Sequence, residues 1–430
     1  MLQTIKNAWK IPDLRKKLIY TLLLIVIFRF GSVIPVPFLS PDVISGLIEQ
    51  GGKDSLLNLL NTFSGGAFSQ ATIFAMSITP YINASIIMQL LTVAIPALER
   101  ISKEGMEGRK KIAQWSRYVT VLLGLIQAWG LYMALRTSIV VPGGIPKFVA
   151  AITIILTFTA GTAFLMWLGE QINEKGIGNG ISMLIFAGIV SRGPQLVLTL
   201  KSYVEMGKLN WIGLIIVLVV AIVVVGFVVL MNDSERRIPV QYSKRVVGRK
   251  VYGGQSTHIP IKVSGAGVMP IIFAMSIMAF PSTIAGFFGK TAQNTSGFFG
   301  FILNVLSSDH WFYGVLYFLL ILFFTYFYIA IQYNPIEMAN NMKKNGGFIP
   351  GIRPGKTTAD FISKSLSKIT LAGAVFLGLI AVLPIFMSQV AGLNISIGGT
   401  SLLIVVGVAL ETVKQMESQM VMRHYKGFLE

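Results

Sequence analysis

The stretch "DSLLNLLNTFSGGAFSQATIFAMSITPYINASIIMQLL", Asp54–Leu91, decides the fold. From Ala71 onward it is apolar enough, and over roughly the 20 residues needed, to cross a bilayer as a helix. The part from Ser55 to Phe63 is equally apolar but only about half a span long. Gly65 and Gly66 join the two parts. An apolar segment too short to span, tethered through glycine, can be buried in one state and swing out in another without unfolding the helix beside it.

The rest of the chain places this stretch among many like it. Of 430 residues, 53% are hydrophobic and 13% charged, and the mean hydropathy is +0.70. Soluble domains carry about a quarter charged residues, so the class is an all-α polytopic membrane protein. Ten spans are expected, near 18–34, 71–95, 115–135, 147–168, 179–198, 211–231, 266–288, 311–332, 369–389 and 399–418. The basic-then-apolar N-terminus mimics a signal peptide, but no small-residue cleavage site follows, so it reads as an uncleaved first span. The chain has no cysteine, which excludes disulfides, thiolate metal sites and a catalytic thiol. His258, His310 and His424 are too scattered in sequence to suggest a metal site or any other cofactor.

The net charge of +18 is unevenly placed. With the N-terminus inside, the inner segments hold 28 of the 36 Lys and Arg and the outer loops seven, with Arg29 inside the first span. That bias puts both termini in the cytoplasm. Ten spans divide into two halves of five, 1–200 and 206–430. An odd half inserts in opposite senses, so a duplication here is an inverted repeat with a pathway between its halves. No linker divides the chain, which is one membrane domain over 1–430. Two inner loops are long. Residues 232–265 hold the alternating stretches "RIPVQY" and "HIPIKV" around a basic turn, the pattern of a projecting hairpin. Residues 333–368 hold "IPGIRPG", a stiff turn displaying Arg353.

Enzymatic constellations are lacking. "KGIGNG", 175–180, has the glycines of a phosphate loop but no following Gly-Lys-Ser/Thr, and reads as a tight turn into the fifth span. The spans hold almost no ionisable groups, whereas an ion-coupled transporter keeps such groups in mid-membrane. Pro80 and Pro270 fall in the second and seventh spans, where a proline kinks a helix; two bent helices would make a movable seam. Ile78 and Ile82, and Ile185 and Ile189, recur four apart and share a helix face.

Five segments carry a resemblance: "ATIFAMSITPYINASIIMQLL" (71–91), "FLMWLGEQINEKGIGNGISMLIFAGIV" (164–190), "GGQSTHIPIKV" (253–263), "GFIPGIRPGKTT" (347–358) and "GGTSLLIVVGVALE" (398–411). Through them the chain resembles the SecY/Sec61 family of protein-conducting channels, from about residue 5 to 428. The resemblance implies two inverted five-helix halves around an hourglass pore in the bacterial cytoplasmic membrane. It implies a plug half-helix over 55–69 with Gly65 and Gly66 as its hinge. It also implies a pore ring of Ile78, Ile82, Ile185, Ile189, Ile272 and Ile404. A lateral gate would run between spans two and three and spans seven and eight, with Pro80, Asn83, Ser85, Gln89, Gln127, Pro270 and Ser276 along it. Polar contacts across such a seam are worth about 1 kcal/mol each in membranes. The two inner loops would dock the SecA motor ATPase or ribosomal RNA phosphates through Arg245, Arg249, Lys250, Arg353 and Lys356. The small subunits SecE and SecG are implied partners, with signal sequences and nascent polypeptides as substrates and lipid at the open gate. The family usually has glycine where this chain has Ser77. The function expected is a passive translocon driven from outside. The alternatives are an inverted-repeat transporter of small solutes, against which the uncharged spans and the plug argue, and a scaffold whose basic loops recruit partners.

Overall fold

Inside lipid every backbone N–H and C=O must find a partner within its own segment, so apolar runs of this length form helices. The computed structural model describes residues 2–41, 44–45, 61, 64–136, 139, 146–207, 210–242, 245–247, 250–252, 256–287, 298–306, 310–391 and 399–426. The short amphipathic helix α1 (Leu2–Lys10) leads into α2 (Pro12–Gly31), where Pro12 sits in the first turn and its missing N–H costs nothing. Then come α3 (Thr79–Ala94), α4 (Pro96–Lys103), α5 (Met106–Leu135), α6 (Lys147–Lys175), α7 (Gly180–Ser191), α8 (Gly193–Glu205) and α9 (Trp211–Asp233). Four strands follow: β1 (Glu235–Tyr242), β2 (Arg245–Val247), β3 (Lys250–Tyr252) and β4 (Ser256–Lys262). The chain continues with α10 (Met269–Phe287), α11 (Phe298–Val305), α12 (Trp311–Gln332) and α13 (Pro335–Lys344). It ends with β5 (Gly347–Phe348), α14 (Lys356–Ala391) and α15 (Gly399–Lys426).

Among the described residues five stretches are long and apolar enough to cross a membrane: 147–175, 180–205, 211–233, 311–344 and 356–383. A sixth arises if α3 and α4, bent by 102° at Ile95, count together. Their surroundings differ. Half of the most apolar window of α6 is buried inside the protein, against 6% for α9, so α6 is a central helix and α9 presents its apolar surface outward.

The second span departs from expectation. It was expected over 71–95, but the helix begins only at Thr79. Residues 71–78 are a chain of turns, and Ala71 and Ser77 adopt the left-handed backbone, φ 52° and 53°. Pro80 therefore does not kink a helix; it occupies the second position of α3, where no intrahelical N–H is required. Pro270 stands at the second position of α10 in the same way, and the proline inside that helix is Pro281. The fifth span is two helices that meet at Arg192, because Pro194 follows. The ninth and tenth run past their expected edges, beginning at Lys356 and ending at Lys426, since charged residues prolong a helix into water as readily as apolar ones do in lipid.

The two long loops fold together. β1 pairs antiparallel with β4 in the register Ile238↔Ile259 and Val240↔Thr257. β5, from the second loop, pairs with the other edge of β1 through Gln241↔Phe348 and Tyr242↔Gly347. Alternation puts Ile238 and Val240 on one face, buried with Ile261 against Met342, Ile349, Ile362 and Leu366. β2 and β3 form a separate hairpin. Within 333–368 the chain is not merely a loop, since α13 is capped by Asn334, whose Oδ1 accepts from Glu337 N at 3.3 Å.

Candidate functional site

The expected pore-ring residues come from helices far apart in sequence. Ile78 ends the turn segment before α3, Ile185 and Ile189 lie one turn apart on α7, and Ile404 is on α15. All four are buried and share one apolar cluster with Phe74, Leu165, Leu168, Leu184 and Val408. Ile82 packs against this cluster and also against a second one centred on α10, α12 and α14. Ile272 is buried on α10 but does not belong to the first cluster among the described residues; its neighbours Ile271 and Phe273 belong to the second.

Local chemistry fixes each contributor. The turn segment is pinned to the end of α2 by Ile73 N donating to Ile34 O at 3.0 Å and Val36 N donating to Ala71 O at 2.8 Å. Gly161 of α6 lets the Ile73 carbonyl approach, where any Cβ would collide with it. The Phe74 ring stacks between Phe28 and Phe164, with centroids 6.0 Å from each. Ile78 follows directly from this anchored segment.

The "KGIGNG" turn positions α7. Ile177 N donates to Thr21 Oγ1 at 3.0 Å, Gly178 N to Gln415 Oε1 at 2.8 Å, and Gly180 N to Asn173 Oδ1 at 2.8 Å. Asn179 caps the helix by accepting from Ile181 N and Ser182 N. Helices α2, α6 and α15 thus grip one turn, which sets Ile185 and Ile189 against Ile404. Sequence reasoning missed Thr21 and Gln415, because nothing local marks a side chain that serves a turn over a hundred residues away. On the same end, Arg117 pairs with Glu170 and Lys414 with Asp233, each at 2.7 Å.

The expected plug segment is only partly described: Ser55–Leu60, Thr62 and Phe63 lie outside the described residues. The two glycines expected as its hinge are described. Gly65 has φ 66° and rests on α7, where a Cβ would lie 2.7 Å from Gly188 O. Gly66, φ 90°, donates its N–H to Asn61 O at 2.8 Å, and Arg29 Nη1 reaches Gly65 O at 3.4 Å.

Along the expected gate, Pro80, Asn83, Ser85 and Gln89 lie on α3, Gln127 on α5, and Pro270 and Ser276 on α10. The seam is closed by apolar packing: Ile86 of α3 shares a cluster with Ile271, Phe273, Ala274 and Met278 of α10. Among the described residues the polar side chains form no hydrogen bond across it, and the buried Asn83 Oδ1 has no partner. Of the expected docking residues, Arg353 and Lys356 are exposed, and the Arg353 carbonyl accepts from Thr357 and Thr358 Oγ1 at 3.0 and 2.9 Å. Arg245 and Lys250 have their backbone in the β2–β3 hairpin, and Arg249 lies outside the described residues. Branched apolar side chains packed together as Ile78, Ile185, Ile189 and Ile404 are present a surface that water and ions wet poorly.

Comparisons with known proteins agree with this architecture. A family model described as SecY matches residues 72–413. The Protein translocase subunit SecY of Streptomyces scabiei is 47% identical over 444 residues, covering 100% of both chains. A solved structure described as "The structure of a protein conducting channel" matches with TM-score 0.64 and 19% identity, over 95% of this chain and 93% of its own. Sec61 from the canine ribosome-channel complex of the endoplasmic reticulum matches with TM-score 0.62 and 19% identity, over 95% and 93%.

Proposed function

The chain belongs to the SecY family, and from that membership we propose that it is the channel subunit of a protein translocase. It passes unfolded secretory polypeptides across the bacterial cytoplasmic membrane and releases apolar segments sideways into lipid. The observation that carries this reading is the meeting of Ile78, Ile185, Ile189 and Ile404 in one apolar cluster, within a fold shared with a protein-conducting channel. In this reading ten spans form two inverted halves with both termini in the cytoplasm. The six isoleucines act as a gasket around the moving chain. The segment 55–69 plugs the idle pore, hinged at Gly65 and Gly66. The seam of α3 and α5 against α10 and α12 is the lateral gate. A signal sequence opens it by exchanging its own apolar surface for the seam's, at about 25 cal/mol per Å² buried.

The sheet and the β2–β3 hairpin would be the cytoplasmic platform, docking SecA or the ribosome through Arg245, Arg249, Lys250, Arg353 and Lys356. SecE would clamp the halves, with SecG beside it. The chain is not itself an enzyme in this reading; the motor, the translating ribosome or the proton-motive force supplies the energy.

The absence of native cysteine makes the test direct. Ile404→Cys and, separately, Leu218→Cys on the outward surface of α9 are placed in membranes with a secretory precursor. The precursor carries one cysteine and is stalled midway by a folded C-terminal domain. A disulfide from position 404 and none from 218 is expected. No bond from 404 with the precursor demonstrably stalled rejects the central pore.

A further inference from the structure

Two places in the chain start a helix in the same way. Ser77-Ile78-Thr79-Pro80-Tyr81-Ile82 precedes and opens α3, and Gly267-Val268-Met269-Pro270-Ile271-Ile272 precedes and opens α10. In each, the first residue is left-handed, φ 53° at Ser77 and 58° at Gly267. In each, that residue's N–H closes a turn on the residue three earlier, Phe74 O at 2.8 Å and Ser264 O at 3.0 Å. In each, proline takes the second helical position, and the isoleucine two residues on bonds back to the residue four earlier, Ile82 N to Ile78 O at 3.1 Å and Ile272 N to Val268 O at 3.3 Å. Local sequence identity is low, yet the left-handed residue, the turn and the helix start coincide. The two segments are structural equivalents in the two halves.

Equivalence makes Ile82 the counterpart of Ile272, both already assigned to the ring. It also makes Val268 the counterpart of Ile78, and Val268 was assigned no role. Packing supports the match from a separate direction. Among the described residues, Ile82 and Val268 are the two partly buried side chains that pack against both the pore-ring cluster and the cluster of α10, α12 and α14. Val268 also lies against α15, with its Cγ1 3.4 Å from where a Gly407 Cβ would stand, one turn along from Ile404. A glycine at 407 leaves that wall bare, and Val268 fills it.

We propose that Val268 is a seventh pore-lining residue, forming an apolar step one turn to the cytoplasmic side of Ile404 that a translocating polypeptide touches before the six isoleucines. The proposal rests on the channel reading above. A branched side chain at this level lengthens the dry part of the pore, so the gasket contacts more than one residue of the moving chain at a time.

The test extends the stalled-precursor experiment in the intact channel complex. Val268→Cys is near-isosteric and leaves the fold unperturbed. Ile271→Cys, on the same turn but buried in the α10–α12 cluster, serves as the control, and Ile404→Cys as the reference. The expected result is a disulfide to the precursor from 268 at a yield comparable with 404, and none from 271. The precursor's cysteine should reach 268 from a position nearer its C-terminus than the one that reaches 404, because that part of the chain enters later. A bond from 404 with none from 268, or equal yields from 268 and 271, overturns the role of Val268 and leaves the channel standing. No bond from 404 overturns the channel reading itself.

Discussion

Asn83 offers the sharpest test of how the seam opens. Its Oδ1 is buried between α3 and its neighbours with no hydrogen-bond partner. A buried unpaired acceptor costs about 1–3 kcal/mol. That cost falls on the closed seam only, because an opened seam admits water or the polar backbone of a substrate to the same atom. Wild-type closure is therefore weakened by this amount. Asn83→Leu removes the unpaired oxygen and supplies an apolar side chain of similar volume beside Ile86 and its cluster. The closed state gains about 1–3 kcal/mol, which lowers the open population by about 5- to 150-fold. The assay is the translocation rate of a secretory precursor in membranes holding equal amounts of each channel, with signal sequences of graded hydrophobicity. The weakest signal should lose most, since a strongly apolar signal can offset a tighter seam by burying more of its own surface. Gln89→Leu, at a partly exposed site on the same helix, should change the rate far less. An Asn83→Leu channel that passes the weak signal at the wild-type rate or faster refutes the account of the seam as apolar packing weakened by the unpaired Asn83 oxygen.

Other expectations concern the parts that position the constriction. Gly161→Ala drives a methyl into the Ile73 carbonyl and should destabilise the complex by about 1–3 kcal/mol, read as a lower melting temperature in detergent. Gly124→Ala, whose Cβ would meet only Thr159 Cγ2 at 3.6 Å, should be close to neutral. At the left-handed Ser77, Ser77→Gly should stay within about 1 kcal/mol of wild type, whereas β-branched Ser77→Val should cost about 1–2 kcal/mol. Thr21→Val leaves the buried Ile177 N–H without its acceptor, at about 1–3 kcal/mol, and should raise the ion conductance of the idle channel by misaligning α7; Thr21→Ser should restore both stability and conductance.

What the sequence made legible follows from which force acts. Spans in lipid are governed by apolar run length, so the sixth, expected over 211–231, appears as Trp211–Asp233. The same signal fails at 71–78. "ATIFAMSI" is apolar enough to be helical, but the Gly161 notch, the bonds to Ile34 and Val36, and the Phe74 stack outweigh its helical preference. All three are contacts with distant residues, which no window over the segment contains. The nearest local sign was Pro80, which fits a helix start as well as a kink. The start of α13 was legible and missed: Asn334-Pro335-Ile336-Glu337 has a capping side chain, proline at the first position and an acid at the third.

The two long loops show the same division. Period-two alternation in "RIPVQY" and "HIPIKV" is a local property, and β1 and β4 pair as that pattern requires. The addition of β5 is not local. It joins Gly347–Phe348 to Gln241–Tyr242 across a hundred residues and turns two separately expected loops into one three-stranded platform. A partner docking on this platform touches both long loops at once. Force applied to the second loop would therefore pass through β1 to α9 and through β4 to the turn before α10, which holds Gly267 and Val268. Cutting that link with Phe348→Pro, which removes a backbone donor from the short strand, should leave the helical core folded and make translocation less responsive to a docked motor. Unchanged motor-driven rates in that variant would show that the platform acts only as an anchor.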